Sequence, residues 1–146
     1  MHSFCFKFGW GFHFMIKVFS DGASRGNPGK SGVGVVLYRE GEELENYSGY
    51  IGVVTNNRAE YEAIKRGVEM VVKYEEDFCL FLDSELIIKQ LKGEYRVKSR
   101  DLKPIYDEVR QILDSTEFFR GVFWVSRSEN CRADELANKG IDSSNN

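Results

Sequence analysis

Asp21-Gly22-Ala23-Ser24-Arg25-Gly26-Asn27-Pro28-Gly29 lies between two apolar runs, Met15-Ile16-Lys17-Val18-Phe19 and Gly32-Val33-Gly34-Val35-Val36-Leu37-Tyr38. The two runs read as buried strands. The segment between them carries three glycines and a proline and reads as a turn. Asp21 closes the first run, at about 15–21. A carboxylate in that place is strongly disfavoured unless a cation or hydrogen-bond donors meet it, so the question is what else converges on Asp21.

Moving outward, the second strand spans about 31–39, and Glu40-Gly41-Glu42 is a turn signal. A third strand follows at about 43–52, with Leu44, Tyr47, Tyr50 and Ile51. Short turns between three strands predict an antiparallel meander. Thr55-Asn56-Asn57-Arg58-Ala59-Glu60 then opens a helix to about Tyr74, with Thr55 or Asn56 as its N-cap. Glu60, Ile64, Gly67, Val68 and Val71 share one stripe of that helix, which is otherwise apolar, so Glu60 faces the sheet. Phe78-Cys79-Leu80-Phe81-Leu82-Asp83 is a short buried strand that ends in a carboxylate and leads straight into a helix from Ser84 to about Leu91, closed by Gly93. This is one arm of a parallel β-α unit. A basic segment follows (Arg96, Lys98, Arg100, Lys103, with Tyr95 beside it), then a helix at about 102–114, a strand at about 118–125, a loop at 126–130 and a last helix at about 132–140.

A chain of 146 residues is one domain by length and large enough to bury a core without disulfides. Net charge of −3 neither announces nor excludes a nucleic-acid partner, because a local basic strip acts independently of the total. Cys5, Cys79 and Cys131 are odd in number and contain no Cys-x-x-Cys, which points to buried free thiols in a reducing cytoplasm. No run is long enough to span a membrane. Residues 1–14 place Phe4, Phe6, Phe8, Trp10, Phe12 and Phe14 at alternate positions. They lack the features of a signal peptide and are expected to be an N-terminal extension of unknown role ahead of a domain at 15–146.

Four acids thus stand at element ends: Asp21, Glu60, Asp83 and Asp134. A helix N-terminus accounts equally well for Glu60 or Asp134 taken alone, but not for Asp21 and Asp83, which end apolar strands. Carboxylates so gathered repel, and divalent cations relieve that repulsion. Two such ions about 4 Å apart activate a water and stabilise a leaving oxygen in phosphodiester hydrolysis. Gly29-Lys30-Ser31 mimics the end of a P-loop, but position 24 is serine and a strand follows where a helix is needed. Both histidines, His2 and His13, lie near the amino terminus, which argues against a serine-hydrolase triad.

From about Met15 to Gly140 the chain resembles the type 1 ribonuclease H family. The motifs are Asp21 to Gly29, Thr55 to Glu60, Leu82-Asp83-Ser84-Glu85-Leu86-Ile87, Glu129-Asn130 and Ala133-Asp134-Glu135-Leu136-Ala137, in the family's order and spacing. The resemblance implies an α/β, ribonuclease H-like fold: a five-stranded mixed sheet, antiparallel meander plus parallel strands, flanked by helices. It also implies a magnesium-dependent endonuclease, manganese being the alternative metal, that cuts the RNA strand of an RNA/DNA hybrid as a cytoplasmic monomer without an obligate protein partner. Asp21, Glu60, Asp83 and Asp134 become the catalytic and metal-binding acids. Asn27, Asn56 and Asn57 are suited to the RNA 2′-hydroxyls, because amides donate and accept, and Thr55 to a DNA-strand phosphate. Lys98, Arg127 and Asn130 complete the expected substrate contacts. Competing classes are another two-metal nuclease of this fold, acting for example on double-stranded RNA, and a non-cleaving hybrid-binding module.

Three departures from the family pattern stand out. No basic insertion separates the second and third helices. Glu85 stands where many relatives have glutamine. The loop before the last helix lacks a histidine and offers Arg127, which binds phosphate but does not act as a base.

Overall fold

The computed structural model describes residues 15–144, so the readings of residues 1–14 and of the last two residues lie outside them. β1 (Ile16–Gly26), β2 (Gly29–Arg39) and β3 (Glu42–Val54) form the meander, and β4 (Phe78–Leu82) and β5 (Phe119–Trp124) complete a sheet of order β3-β2-β1-β4-β5. β1–β2 and β2–β3 pair antiparallel, while β1–β4 and β4–β5 pair parallel. The mixed five-stranded architecture is the one expected.

Among the described residues, four helices flank the sheet: α1 (Asn56–Val71), α2 (Glu85–Leu91), α3 (Lys103–Ser115) and α4 (Cys131–Ser143). Short 3₁₀ turns extend α1 over Val72–Tyr74 and precede α4 over Arg127–Asn130. Strand alternation sorts the helices onto two faces. A Cβ added at Gly67 of α1 would meet Val18 and Val35, whereas one at Gly34, next to Val35, would overlap the Ala133 carbonyl of α4. The larger core is mostly aliphatic, with Tyr61 and Phe78 inside it, and is built with α1, α2 and α3; Ile16, Val18, Val35, Leu37, Ile64, Val68, Leu80, Leu82 and Ile87 are almost wholly buried. Phe19, Cys79 and Phe81 belong to a smaller second cluster, in which the Phe19 and Phe81 rings stack at 5.0 Å.

Two expectations are corrected. The stretch after Asp21 is not a long turn. β1 runs on to Gly26, and only Asn27-Pro28 form the hairpin loop, because the ladder continues through Gly22↔Val33 and Ser24↔Ser31 to Gly26↔Gly29. The Ser24 hydroxyl also donates to the Val54 carbonyl at 3.0 Å, joining the hairpin to the end of β3. Of the cysteines among the described residues, Cys79 is buried as expected, but Cys131 is exposed at the start of α4.

Candidate active site

The parallel register of β1 and β4 brings the first two acids together. Phe19 pairs with Phe81, so two residues further along each strand Asp21 and Asp83 emerge side by side. β4 ends at Leu82, and Ser84 caps α2 by accepting from the Ile87 amide at 3.3 Å, which fixes Asp83 at the strand–helix junction.

Glu60 comes from the first turns of α1. The Thr55 hydroxyl caps that helix by accepting from the Arg58 amide at 3.3 Å, and the Asn27 side chain accepts from the Asn56 amide at 3.0 Å, which ties the hairpin to the helix start. Gly22 lets α1 approach β1: a Cβ there would overlap the Ala59 carbonyl group, and the Gly22 amide donates to Glu60 Oε1 at 2.7 Å.

The result is a cluster in which Asp21, Glu60 and Asp83 each present a carboxylate oxygen within 4.8 Å of the others. They line a cleft of about 460 Å³ together with Ala23, Ser24, Asn56, Ser84, Arg127 and Asp134. Asp134 projects from the first turn of α4 into the same cleft, close enough to add to the upward shift of Asp21. Asp21 is 7% exposed. Burial, and then the charge of Glu60, hold its carboxyl far above the usual range. Glu60 is raised too, chiefly by burial, with the Asp21 hydrogen bond and the Gly22 amide pulling the other way. None of the ion pairs formed among the described residues involves any of these four acids. Packed oxygen donors that form no ion pair, with Arg127 on the cleft wall acting on Glu60 only through its charge, fit a hard divalent cation.

Among the expected substrate contacts, Asn56 and Arg127 line the cleft, and both are exposed. Asn27 is exposed on the hairpin beside it, while Thr55 and Asn57 are half-buried around the start of α1. Lys98 stands outside the cleft on the exposed side of the 92–102 segment. That segment is pinned by buried Val97 and Leu102 and tied to α1 by Arg58 Nη1 donating to the Asp101 carbonyl at 3.3 Å.

Asn130 requires a correction. It is 1% exposed, so no substrate reaches it, and its amide donates to Asp83 Oδ2 at 2.9 Å and to the Ser20 carbonyl at 3.0 Å. It holds Asp83 against β1 from beneath. Gly22, Ala23, Ser24 and Ser84 also line the cleft and were missed by sequence reading as site residues, although a serine directly after a strand-ending acid, as at Ser84, is a visible cap signal.

An α/β domain whose antiparallel meander continues into two parallel strands, with carboxylates gathered where β1 passes the end of β4, is of the ribonuclease H-like class. Residues 19–140 match the family described as "Reverse transcriptase-like". A ribonuclease H of Methylobacillus flagellatus is 35% identical over 141 residues, covering 88% of this chain and 92% of the relative. A bifunctional protein of Mycobacterium tuberculosis is 34% identical over 131 residues, covering 87% of this chain, but the match spans only 35% of that relative's length. The crystal structure of LC11-RNase H1 in complex with an RNA/DNA hybrid superposes with a TM-score of 0.84 at 37% identity, covering 90% of this chain and 99% of that one. The chain belongs to the ribonuclease H family.

Proposed function

We propose that this chain is a metal-dependent endonuclease that hydrolyses the RNA strand of RNA/DNA hybrids, leaving 5′-phosphate and 3′-hydroxyl ends. The observation that carries the reading is the cleft in which Asp21, Glu60 and Asp83 converge within 4.8 Å without a cationic side chain paired to them. Relatives named ribonuclease H and the hybrid bound by LC11-RNase H1 support the substrate.

Asp21, Glu60, Asp83 and Asp134 would hold the metal, magnesium with manganese as substitute. Bound there, divalent ions supply an activated water and stabilise charge on the leaving oxygen. The chain's own residues do the rest. Asn130 fixes the Asp83 carboxylate, and the Gly22 amide fixes that of Glu60. Arg127, on the cleft wall, binds a substrate phosphate without moving a proton, because guanidinium stays charged. Asn27, Asn56 and Asn57, around the α1 start, meet the 2′-hydroxyls across the minor groove, which distinguishes RNA from DNA without reading sequence. Thr55, at the same helix start, meets a phosphate of the DNA strand. No helix among the described residues is long and apolar enough to cross a membrane. Free Cys79 and Cys131 suit a reducing cytoplasm, where the chain would act as a monomer.

The test is a panel of labelled RNA/DNA hybrid, duplex RNA, duplex DNA and single strands, with magnesium and with chelator. Cutting confined to the hybrid's RNA strand and abolished by chelator or by Asp83→Asn is the expected result. Hybrid cleavage that persists in Asp83→Asn, or in chelator, overturns the reading.

A further inference from the structure

A second polar network reaches the acidic cleft along α4, through Asp134. Asn138 lies one turn after Asp134 on α4. Its side-chain amide donates to Asp134 Oδ1 at 3.3 Å and to the Asp134 carbonyl at 3.0 Å. The other end of that amide accepts from Arg25 Nη2 at 3.3 Å, and the same nitrogen reaches the Asn138 carbonyl at 3.4 Å. Arg25 is anchored in turn by Asp142, Nη1 to Oδ1, at 2.8 Å. The contacts join residues more than a hundred positions apart, linking the β1–β2 hairpin that carries Asn27 to the acid on α4.

The chemistry of the partners fixes the arrangement. Guanidinium only donates, and an ionised carboxylate only accepts. A group between them must accept on one side and donate on the other, and a side-chain amide does both from two separate atoms. The orientation of the Asn138 amide follows: its oxygen must face Arg25, and its nitrogen must face Asp134.

We propose that Asn138, oriented by Arg25, is a positioning residue that aims the Asp134 carboxylate toward Asp21 and so couples the substrate-facing hairpin to the fourth acid of the cleft. The inference rests on the nuclease reading for its kinetic consequence, and on the metal site alone for its binding consequence. Neither Arg25 nor Asn138 lines the cleft. Both reach the cleft through Asp134, to which the Asn138 amide donates, so the proposed effect falls on turnover and metal use.

The experiment compares the full chain with Asn138→Ala, Asn138→Asp, Arg25→Ala and the Arg25→Ala/Asn138→Ala double variant. The readouts are kcat and KM on the hybrid, the magnesium concentration giving half-maximal rate, calorimetric Mn²⁺ binding and Tm. Asn138→Ala is expected to lower kcat about three- to tenfold, the order of one hydrogen bond to a charged group at a partly exposed site. It should also raise the magnesium requirement, with KM for hybrid and Tm little changed. Asn138→Asp keeps the shape but replaces the donor with a second carboxylate, so its loss of kcat must exceed that of Asn138→Ala. Arg25→Ala should show a smaller loss of the same kind, and the double variant no more than Asn138→Ala alone, because one relay is broken once. Wild-type kcat and magnesium dependence in Asn138→Ala, an Asn138→Asp no worse than Asn138→Ala, or losses that multiply in the double variant would each overturn the relay. A wild-type chain that cuts no hybrid would remove the nuclease reading instead. Calorimetry then decides the relay by itself: weaker Mn²⁺ binding in Asn138→Ala, unchanged further in the double variant, supports it, and wild-type affinity refutes it.

Discussion

At the scale of single residues, the cleft is a place where ionisation works against folding. In the metal-free protein Asp21 and Glu60 are raised above their ordinary values of 3.8 and 4.5, first by burial. The unfolded chain gives up these protons at ordinary carboxylate pH while the native chain keeps them. Between the ordinary and the raised values the native state binds more protons, so stability falls as pH rises. Carboxylates such as Glu43, Glu108 and Asp114 shift downward and act with the opposite sign, but only at the acid end of the range. Above about pH 5.5 the cleft pair governs. Metal-free protein is therefore expected to melt at a lower temperature at pH 8 than at pH 6, and Asp21→Asn to flatten that slope while abolishing cleavage. Added magnesium should raise Tm more at pH 8 than at pH 6, because only ionised carboxylates bind it. Thermal melts of both proteins at the two pH values, with and without magnesium, check all three. Three of the four acids were legible in sequence because each breaks a local rule, Asp21 and Asp83 beside apolar strands and Glu60 on an apolar stripe, whereas Asp134 is an ordinary first-turn acid and was picked out by its company. Asn130 and Asn138 break none: their partners are 47 and 110 positions away for one, and four and 113 for the other. A short amide at a helix start or on a half-buried face looks ordinary, so only coordinates show what it holds.

At the scale of elements, the site depends on how closely α1 rides over β1. Gly22 is what permits it, since a methyl group there would collide with the Ala59 carbonyl in the first turns of the helix. Backbone atoms on both sides cannot rotate away as a flexible side chain would. Gly22→Ala is expected to destabilise by about 1–3 kcal/mol through overpacking. It should also lower kcat beyond what that loss explains, because moving α1 outward stretches the Gly22 amide from Glu60 Oε1, now 2.7 Å away. Denaturant titration gives the first quantity, and hybrid cleavage well below the unfolding midpoint gives the second. Normal activity in a folded Gly22→Ala protein would detach Glu60 from this contact. The same stretch shows where reading elements from sequence stops. The antiparallel meander, the strand–helix arm at Asp83 and the helices among the described residues followed from periodicity, short turns and capping, while the five-stranded mixed sheet came from the family resemblance and its strand order from the coordinates. Local pattern did not give the length of β1. Gly22, Gly26, Pro28 and Gly29 punctuate like a loop, yet the backbone ladder to β2 needs no side chains and runs almost to the proline. Pairing with a partner strand overrode local propensity, and that pairing is a tertiary fact.

At the scale of the whole molecule, the proposed function asks an acidic protein to bind a polyanion. The formal charge is −3, but setting aside the four cleft acids leaves +1, so the surface facing a hybrid need not be repulsive once those acids are neutralised. The 92–102 segment supplies the local excess of positive charge. Val97 and Leu102 are buried and hold it down, which leaves Arg96, Lys98 and Arg100 exposed. Arg58 ties it through the Asp101 carbonyl to the same helix start that carries Thr55, Asn56 and Asn57. A duplex gripped at that helix start would therefore pass close to the basic segment. Phosphate contacts of this kind release counterions, so their number is read from the salt dependence of binding. Reversing Lys98 and Arg100 together to glutamate is expected to weaken hybrid binding and to reduce the slope of log affinity against log salt by about two, near one unit per lost contact. kcat at saturating hybrid should hold, because neither residue lines the cleft. Binding titrations of an inactive Asp83→Asn background between low and moderate salt, with and without the two reversals, measure the slope without cleavage. A slope unchanged by the reversals would mean that the segment is only a solvated surface, and that the hybrid is held by the asparagines, Thr55, Arg127 and the metal-loaded cleft alone.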